Sequence, residues 1–358
     1  MKIIHCSDLH LDSKIEGLPS EKSAKRREEI VRSFERLVAF ASENNVRCVI
    51  IAGDMFDTTK IMQKTRSRVV NAIVSNPSID FLYLSGNHEE DSFIASLDFM
   101  PENLKIFSEV WTSFRYDNVV ISGIKLNKLN SLTVADNLTL SEKDVNIVTM
   151  HGQIVNYKSE DPAEIIMLPK FKEKNIDYLA LGHIHSYSEG MLDNRGKYAY
   201  SGCLDGRGFD ETGEKGFVLL DVENEKISTE FVPFSSRVLH EIEFNVEGFE
   251  DRFVARSELE KKLNVLCDKL DLIKVVLTGE RKADFDIDIY GLTSYLLESF
   301  FFVKIYDKTV LKINIEDYLN DKSVRGEFIR TVWESDLDFQ TKQKVIMCGI
   351  NAFKGEEI

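Results

Sequence analysis

Five short motifs rich in aspartate and histidine lie in the first half of this sequence. Their candidate ligands are one asparagine, two aspartates and four histidines: Asp8, His10, Asp54, Asn87, His151, His183 and His185. Carboxylate, imidazole and amide groups suit manganese, iron or zinc better than a metal that prefers thiolates. Because seven ligands exceed what one ion needs, the set predicts two divalent ions, about 3.5–4 Å apart, that share one carboxylate.

Each motif directly follows a short apolar run that is typical of a buried strand. The runs are residues 2–6, 47–52, 80–85, 146–150 and 178–181. Sites assemble at the carboxyl ends of strands in open α/β sheets, so we expect the motifs to converge. Residues two apart in an extended chain point the same way, which predicts that Asp8 and His10 face one site, as do His183 and His185. The glycines of the motifs leave room for tight turns.

The elements around these motifs predict an α/β (α+β) fold. Strands alternate with amphipathic helices at residues 21–44 and 60–75, and consecutive antiparallel strands are expected over residues 189–233. This order favours a two-sheet β-sandwich flanked by helices. We expect three segments: a catalytic domain at 1–237, a small α+β cap at 238–310 and a helical segment at 311–358.

The ordered motifs, DxH, GD, GNH, H and GHxH, resemble those of the calcineurin-like metallophosphoesterase superfamily, from the first residue to about residue 190. By motif position, the resemblance implies two ligand sets that share Asp54. One would be Asp8, His10, Asp54 and His185, and the other Asp54, Asn87, His151 and His183. His88 would hold no metal; the resemblance implies that it contacts the scissile phosphate and protonates the leaving oxygen.

The charges of such a site favour hydrolysis of a phosphodiester. Two divalent ions, two carboxylates and a bridging hydroxide leave about one positive charge, which stabilises the additional negative charge of the transition state. The ions also lower the pKa of bound water, so hydroxide exists near neutral pH. We therefore expect a metal-dependent phosphodiesterase that uses two ions, with manganese first and iron or zinc as alternatives.

A second, narrower resemblance extends further along the chain. The segments SDLHLDS, at residues 7–13, and YSGCLDGRGFDETGEKGFVLLDV, at residues 200–222, resemble bacterial DNA-repair exonucleases related to SbcD. The resemblance implies DNA as substrate, an SMC-like ATPase subunit as partner and a small domain that helps to select DNA. A homodimer is a further arrangement that stays open.

Several charged residues near the motifs are candidate substrate contacts: Asp57, Lys60, Lys64, Arg66, Arg68 and Arg207. The basic run from Lys60 to Arg68 would contact backbone phosphates, or it is simply a solvated helix face. Asp57 either lines the pocket or caps the following helix. Arg207 either touches phosphate or lies in a turn.

Composition limits the other functions to consider. The net charge of −15 argues against nucleic-acid binding through the whole surface, although a local basic patch, bound metal or a partner remains compatible with it. The five scattered cysteines form no CxxC pair and fit a reducing, cytoplasmic compartment, and no apolar run suits a membrane span. Two rival functions stay open: a phosphodiesterase or phosphatase for a small nucleotide or phosphoprotein, and a non-catalytic protein-binding scaffold.

Overall fold

The computed structural model describes residues 1–57, 61–86, 92–155, 164–282, 285, 287–312, 315–318 and 320–354. The chain divides into two compact units, Met1–Val238 and Leu239–Ile358. In the described part of the chain, every helix is too short or too polar to cross a membrane. The predicted division into three segments stays a prediction.

The first unit is built mainly from strands. These are β1 (Lys2–Cys6), β2 (Val46–Ala52), β3 (Asp80–Leu84), β4 (Leu104–Ile106), β5 (Thr112–Tyr116), β6 (Val119–Gly123), β7 (Val145–His151), β8 (Gln153–Val155), β9 (Ile165–Met167), β10 (Tyr178–Gly182), β11 (Ser188–Met191), β12 (Lys197–Tyr200), β13 (Gly216–Glu223) and β14 (Lys226–Pro233). Its helices are α1 (Ser20–Glu43), α2 (Gln63–Val74) and α3 (Ser92–Ala95), with a 3-10 turn at Leu168–Phe171.

Two six-stranded sheets organise this unit. The first has the order β14-β13-β1-β2-β3-β4, and the second has the order β11-β12-β10-β7-β6-β5. Strands β1 to β4 are parallel to one another, as are β6, β7, β10 and β12. Antiparallel strands lie at one edge of the first sheet, β13 and β14, and at both edges of the second, β11 and β5. Strands β8 and β9 form a separate parallel pair.

Alternation of side chains along β1 explains how the layers pack. Ile3 belongs to a buried cluster that includes Leu82 of the first sheet and Ile147 of the second, so this cluster lies between the sheets. Its neighbour Ile4 points to the opposite face and packs in a cluster with Phe34 of α1 and others. The two-sheet sandwich flanked by helices is therefore confirmed.

The second unit has its own core. Its strands are β15 (Leu239–Asn245), β16 (Leu272–Thr278), β17 (Glu280–Lys282), β18 (Phe302–Asp307) and β19 (Val310–Lys312). Its helices are α4 (Arg252–Leu266), α5 (Ile289–Leu296), α6 (Val324–Glu334) and α7 (Phe339–Lys354), with a 3-10 turn at Ile315–Tyr318. Strands β15, β16 and β18 form a parallel sheet, and β17 pairs with β19. Apolar residues of α4, including Leu259 and Leu263, pack in one cluster with Ile273 of β16.

The apolar spacing of residues 249–270 predicts one amphipathic helix, and α4 occupies only the middle of that range. Asp251 sets its start, because the carboxylate accepts hydrogen bonds from the main-chain nitrogens of Phe253 and Val254. The helix ends at Leu266 because Cys267 has an extended backbone. Apolar periodicity alone misses such ends.

Candidate metal centre

The predicted ligands that the structure describes lie at the carboxyl ends of four strands. Asp8 and His10 follow β1, Asp54 follows β2, His151 ends β7, and His183 and His185 follow β10. Strands β1 and β2 belong to one sheet and β7 and β10 to the other, so both sheets supply ligands. Asn87 and His88 lie outside the described residues, and their assignments stay predictions.

The backbone at these positions is unusual. Four candidate ligands have left-handed φ angles: Asp8 at 52°, His10 at 44°, Asp54 at 49° and His183 at 101°. Such conformations cost free energy and cluster at functional sites. They also correct the expectation of extended chain at DxH and HxH. Tight turns after the strands, rather than the alternation of side chains along a strand, direct these ligands toward the site.

Two motif glycines permit close approach of neighbouring ligands. A Cβ atom on Gly53 would lie 2.0 Å from Nδ1 of His151, and Gly53 itself has a φ of 96°. A Cβ atom on Gly86 would lie 1.9 Å from Oδ1 of Asp54. Both side chains would be displaced by an alanine, so these glycines keep the space that His151 and Asp54 occupy.

A first group of three candidate ligands consists of Asp8, His10 and His185, whose ligand atoms lie within 4.8 Å of one another. The Nε2 atoms of His10 and His185 are 3.1 Å apart. Nε2 of His185 lies 3.8 Å from Oδ1 of Asp8. This group matches three of the four ligands that the resemblance assigns to one ion.

A second group, with its ligand atoms equally close together, consists of Asp8, Asp54 and His151. Oδ2 of Asp54 lies 3.4 Å from Nε2 of His151 and 4.0 Å from Nε2 of His10. Asp54 therefore contacts a histidine of each group, as a shared ligand must. Asp8, however, is the carboxylate that is a member of both groups, so both aspartates lie between the two candidate ion positions.

His183 lies beside the second group and belongs to neither. Its ring centroid is 5.3 Å from that of His151, and its Nδ1 is 3.9 Å from a carboxylate oxygen of Glu164. Its main-chain nitrogen donates to both carboxylate oxygens of Asp8 at 3.1 Å. Burial and the nearby His151 lower the pKa of His183. Its predicted role as a ligand stays a prediction.

Three of the histidines have an oxygen atom close to Nδ1. His151 donates from Nδ1 to the carbonyl oxygen of Ala52 at 2.9 Å. Nδ1 of His185 lies 2.7 Å from Oε1 of Glu211, and Nδ1 of His10 lies 3.0 Å from Oδ1 of Asp57. Because a carbonyl or carboxylate oxygen only accepts, Nδ1 of His151 and of His185 carries the proton, and each neutral ring then directs the lone pair of Nε2 into the site. The contact of His10 with Asp57 is an ion-pair contact.

The donor set fits divalent cations. In their neutral forms, His10 and His185 direct two Nε2 lone pairs at each other across 3.1 Å, an arrangement that a cation beside both nitrogens would stabilise. Burial opposes a charge on His151, yet the adjacent Asp54 and Asp8 carboxylates outweigh it and raise the pKa of His151 to about 9. The pocket thus favours positive charge.

The family to which the chain belongs identifies the kind of metal centre. Residues 1–187 match the family described as calcineurin-like phosphoesterase, which is more than half of the 358 residues. The chain belongs to this family. A dinuclear metal site is the property of this fold, and the groups around Asp8 and Asp54 lie where such a site is expected.

Relatives of this metallophosphoesterase match far beyond residue 187. The uncharacterized metallophosphoesterase YhaO of Bacillus subtilis is 27% identical over 379 aligned residues, which cover 99% of this chain and 85% of YhaO. The DNA double-strand break repair protein Mre11 of Sulfolobus acidocaldarius is 23% identical to this chain. The alignment covers 88% of this chain and 85% of that protein. A subunit of the nuclease SbcCD from Staphylococcus saprophyticus is 23% identical, with coverage of 75% and 78%.

Sequence reasoning missed a role for Glu211 in this metallophosphoesterase. Its carboxylate contacts His185 and also Arg207, whose guanidinium lies 2.8 Å from Glu211 and 2.9 Å from Asp57. Arg207 and Asp57, predicted as substrate contacts, therefore lie in the layer of side chains directly behind His10 and His185. The block at residues 200–222 contained this signal, but no spacing rule pointed to Glu211.

The basic residues of α2 are engaged elsewhere. Arg68 forms ion pairs with Glu28 at 2.9 Å and Glu35 at 2.6 Å, and Arg66 donates to the carbonyl oxygen of Ser96 at 2.7 Å. Lys64 is exposed and lies 3.6 Å from a carboxylate oxygen of Glu28. Lys60 lies outside the described residues. A phosphate contact by any of these residues stays a prediction.

Proposed function

We propose that this metallophosphoesterase is a DNA-repair exonuclease that hydrolyses DNA phosphodiester bonds with two divalent ions, most simply manganese. Support comes first from two groups of ligands with two aspartates between them. When bound, two such ions supply Lewis acidity toward a phosphodiester and a hydroxide nucleophile near neutral pH.

The chain's own residues hold and orient this chemistry. The carboxylates of Asp8 and Asp54 neutralise part of the ionic charge, so the site keeps a positive balance for a phosphodiester anion. Hydrogen bonds from Nδ1 fix the rings of His151 and His185, and Nδ1 of His10 lies at ion-pair distance from Asp57. We further propose that His88 contacts the scissile phosphate and donates a proton to the leaving oxygen.

DNA is favoured over a small substrate because the repair proteins match more than the catalytic domain. The family match ends at residue 187, whereas the alignment with the archaeal Mre11 covers 88% of the chain. The second unit, with its own sheet and helices, is thus part of what the chain has in common with a protein of DNA double-strand break repair. We propose that this unit contributes to substrate choice.

The same relatives support a proposal about partners. The SbcCD relative is by its name one subunit of a nuclease. We propose that this chain also works with an SMC-like ATPase subunit, either as a single copy or as a homodimer. A partner would provide basic surface that a chain with a net charge of −15 lacks over most of its area.

The decisive assay supplies the purified full chain and manganese with three substrates: linear double-stranded DNA, single-stranded DNA and bis-p-nitrophenyl phosphate. We expect cleavage of DNA that begins at ends, falls steeply with salt and stops on chelation. His88→Ala should keep both ions and lose about 10²–10⁴-fold in rate, as removal of a general acid does. An Asp8→Asn variant serves as the metal-site control.

Other outcomes point to the rivals. Hydrolysis of the small diester without any cleavage of DNA, with or without an ATPase subunit, would favour a small nucleotide or phosphoprotein as substrate. Failure on all three substrates by a chain that binds no manganese would favour a protein-binding scaffold. Loss of the ions in His88→Ala would contradict the proposed role of that residue.

A further inference from the structure

We propose that Arg207 is a positioning residue that holds one of the two metal positions by joining the carboxylates behind His10 and His185. It would act through Asp57 and Glu211, without touching the metal or the substrate. The inference rests on the two-metal part of the proposed function and is independent of DNA as the substrate.

Glu211 is the first of the two carboxylates. It is 4% exposed, and its Oε1 atom accepts from Nδ1 of His185 at 2.7 Å and from Nε and Nη2 of Arg207 at 3.1 and 2.8 Å. Its Oε2 atom accepts from the main-chain nitrogen of Arg207 at 2.7 Å. Hydrogen bonds from the side chain and the main chain of Arg207 therefore hold the Glu211 carboxylate in place.

Asp57 is the second carboxylate. Its Oδ1 atom lies 3.0 Å from Nδ1 of His10 and 2.9 Å from Nη1 of Arg207. One guanidinium thus contacts the carboxylate that accepts from His185 and the carboxylate that lies beside Nδ1 of His10. The planar fork of arginine makes this possible, since its separate nitrogens can donate in different directions from one rigid plane. A lysine would provide the charge at a single point.

The same contacts argue against a phosphate contact by Arg207. Nε, Nη1 and Nη2 are each within hydrogen-bonding distance of a carboxylate oxygen, and the side chain is only 21% exposed. A phosphate could reach the guanidinium only by displacing Asp57 or Glu211. Displacement of Glu211 would break its hydrogen bond with His185, and displacement of Asp57 would remove the carboxylate beside His10.

The second ligand group has a different support. His151 donates to the main-chain carbonyl of Ala52, and its ring packs against Gly53. The contacts of Arg207 with Asp57 and Glu211 lie instead on the side of His10 and His185. Loss of Arg207 should therefore weaken the ion at the His10 and His185 position and leave the ion at the His151 position bound.

The test is manganese binding without substrate, by calorimetry and by elemental analysis of the desalted protein. The variants are Arg207→Ala, Arg207→Lys and, as a control, Arg195→Ala. Arg195 is also ion-paired, at 2.9 Å to Asp177, and that aspartate directly precedes β10, at the opposite end of the strand from His183. Thermal melting of the metal-free proteins establishes that each variant folds.

We expect Arg207→Ala to bind one ion with wild-type affinity and the other about 10–100-fold more weakly, the usual scale for residues behind metal ligands. Arg207→Lys should weaken the same ion less, and Arg195→Ala should match the wild type. If Arg207→Ala does not fold, Arg207→Lys decides, because wild-type binding of both ions by that variant would overturn the proposal.

Three results would overturn it with Arg207→Ala itself. Unchanged binding of both ions together with a raised KM would make Arg207 a substrate contact. Tighter binding of manganese would show that its positive charge, and not its geometry, acts on the site. Equally weaker binding of both ions would show that Arg207 does not act on one metal position alone. Failure of the wild-type chain on DNA would count against the proposed substrate alone, since these affinities are measured without any substrate.

Discussion

The two halves of the candidate metal centre are supported in different ways. The side-chain half, defined as His10 and His185, contacts the carboxylates of Asp57 and Glu211, which Arg207 joins. The main-chain half, defined as His151, is oriented by the carbonyl oxygen of Ala52. A main-chain acceptor is fixed by the fold itself, whereas a network of side chains depends on each of its members. The two halves should therefore respond differently to substitution.

The difference also reflects distance along the sequence. Ala52 ends β2, and His151 ends β7, so the contact between them follows from how the two sheets pack. Glu211 and Arg207 lie in a loop between β12 and β13, well after the last motif histidine. Side-chain support of this kind can change without disturbing the sheets, which makes the side-chain half the more adjustable part of the site.

The largest effect is expected from Asp54→Asn, because Asp54 contacts a histidine of each half. The substitution removes one negative charge and weakens the link between the two ions. We predict loss of at least one ion by elemental analysis and a fall in diester hydrolysis of about 10³-fold. Two ions retained at full occupancy would show that Asp54 does not bridge the halves.

The next effect is expected from Gly53→Ala, which should damage the main-chain half alone. The new Cβ atom would lie 2.0 Å from Nδ1 of His151, in addition to the strain of a φ of 96°. Gly248→Ala is a matched control, since Gly248 has a φ of 87° with open space around it. Both variants should lose about 1–2 kcal/mol of stability from strain.

Only Gly53→Ala should lose manganese, and the loss should be confined to one ion. Calorimetry of the two variants side by side separates the clash with His151 from the cost of the left-handed backbone. If Gly53→Ala bound both ions normally, packing against this glycine would not position His151.

A smaller effect is expected from Glu211→Gln in the side-chain half. Glutamine keeps the shape and an acceptor for His185 but loses the charge that Arg207 holds. We predict about tenfold weaker binding of one ion, which is the low end of the affinity loss expected when a residue that hydrogen-bonds a metal ligand is changed. Glu189→Gln is the control, because Glu189 pairs with Lys197 at 2.9 Å on β11 and β12. Equal affinity in Glu211→Gln and the wild type would contradict the account of this half.

The smallest effect concerns His5, a buried histidine that belongs to neither half. It contacts the hydroxyl of Tyr178 at 2.9 Å, and burial lowers its pKa to about 3. The unfolded chain, with an ordinary pKa near 6.5, binds a proton that the folded chain excludes. Stability from this group is therefore complete above pH 6.5 and declines as the pH falls toward 3.

Between pH 7.5 and 5.5, the difference between the pKa values of His5 in the folded and the unfolded chain corresponds to a loss of about 1.4 kcal/mol of unfolding free energy. Denaturant unfolding of the metal-free wild type and His5→Gln at both pH values measures it. The wild type should lose more stability than the variant over this interval. Parallel losses would mean that His5 does not remain neutral in the fold.

The sequence predicts the ligands better than it predicts their geometry. The sequence identifies Asp8, Asp54 and His151 as candidate ligands, because each has a side chain that can bind metal and follows a run of apolar residues that forms a buried strand. The extended geometry expected for Asp8 and His10 is wrong, since both have left-handed φ angles that hydrophobic patterning does not encode. Glu211 was missed because its contact with His185 is set by tertiary packing of an irregular loop, which no local periodicity predicts.

The most direct test of the two-metal centre is the number of manganese ions bound by each folded chain after removal of free metal. Elemental analysis and calorimetry of the full chain should give two ions per chain. The ion at His10 and His185 should be lost first in Arg207→Ala, and the ion at His151 should be lost first in Gly53→Ala. A single ion in the wild-type protein, or the same ion lost in both variants, would contradict a centre made of two separately supported halves.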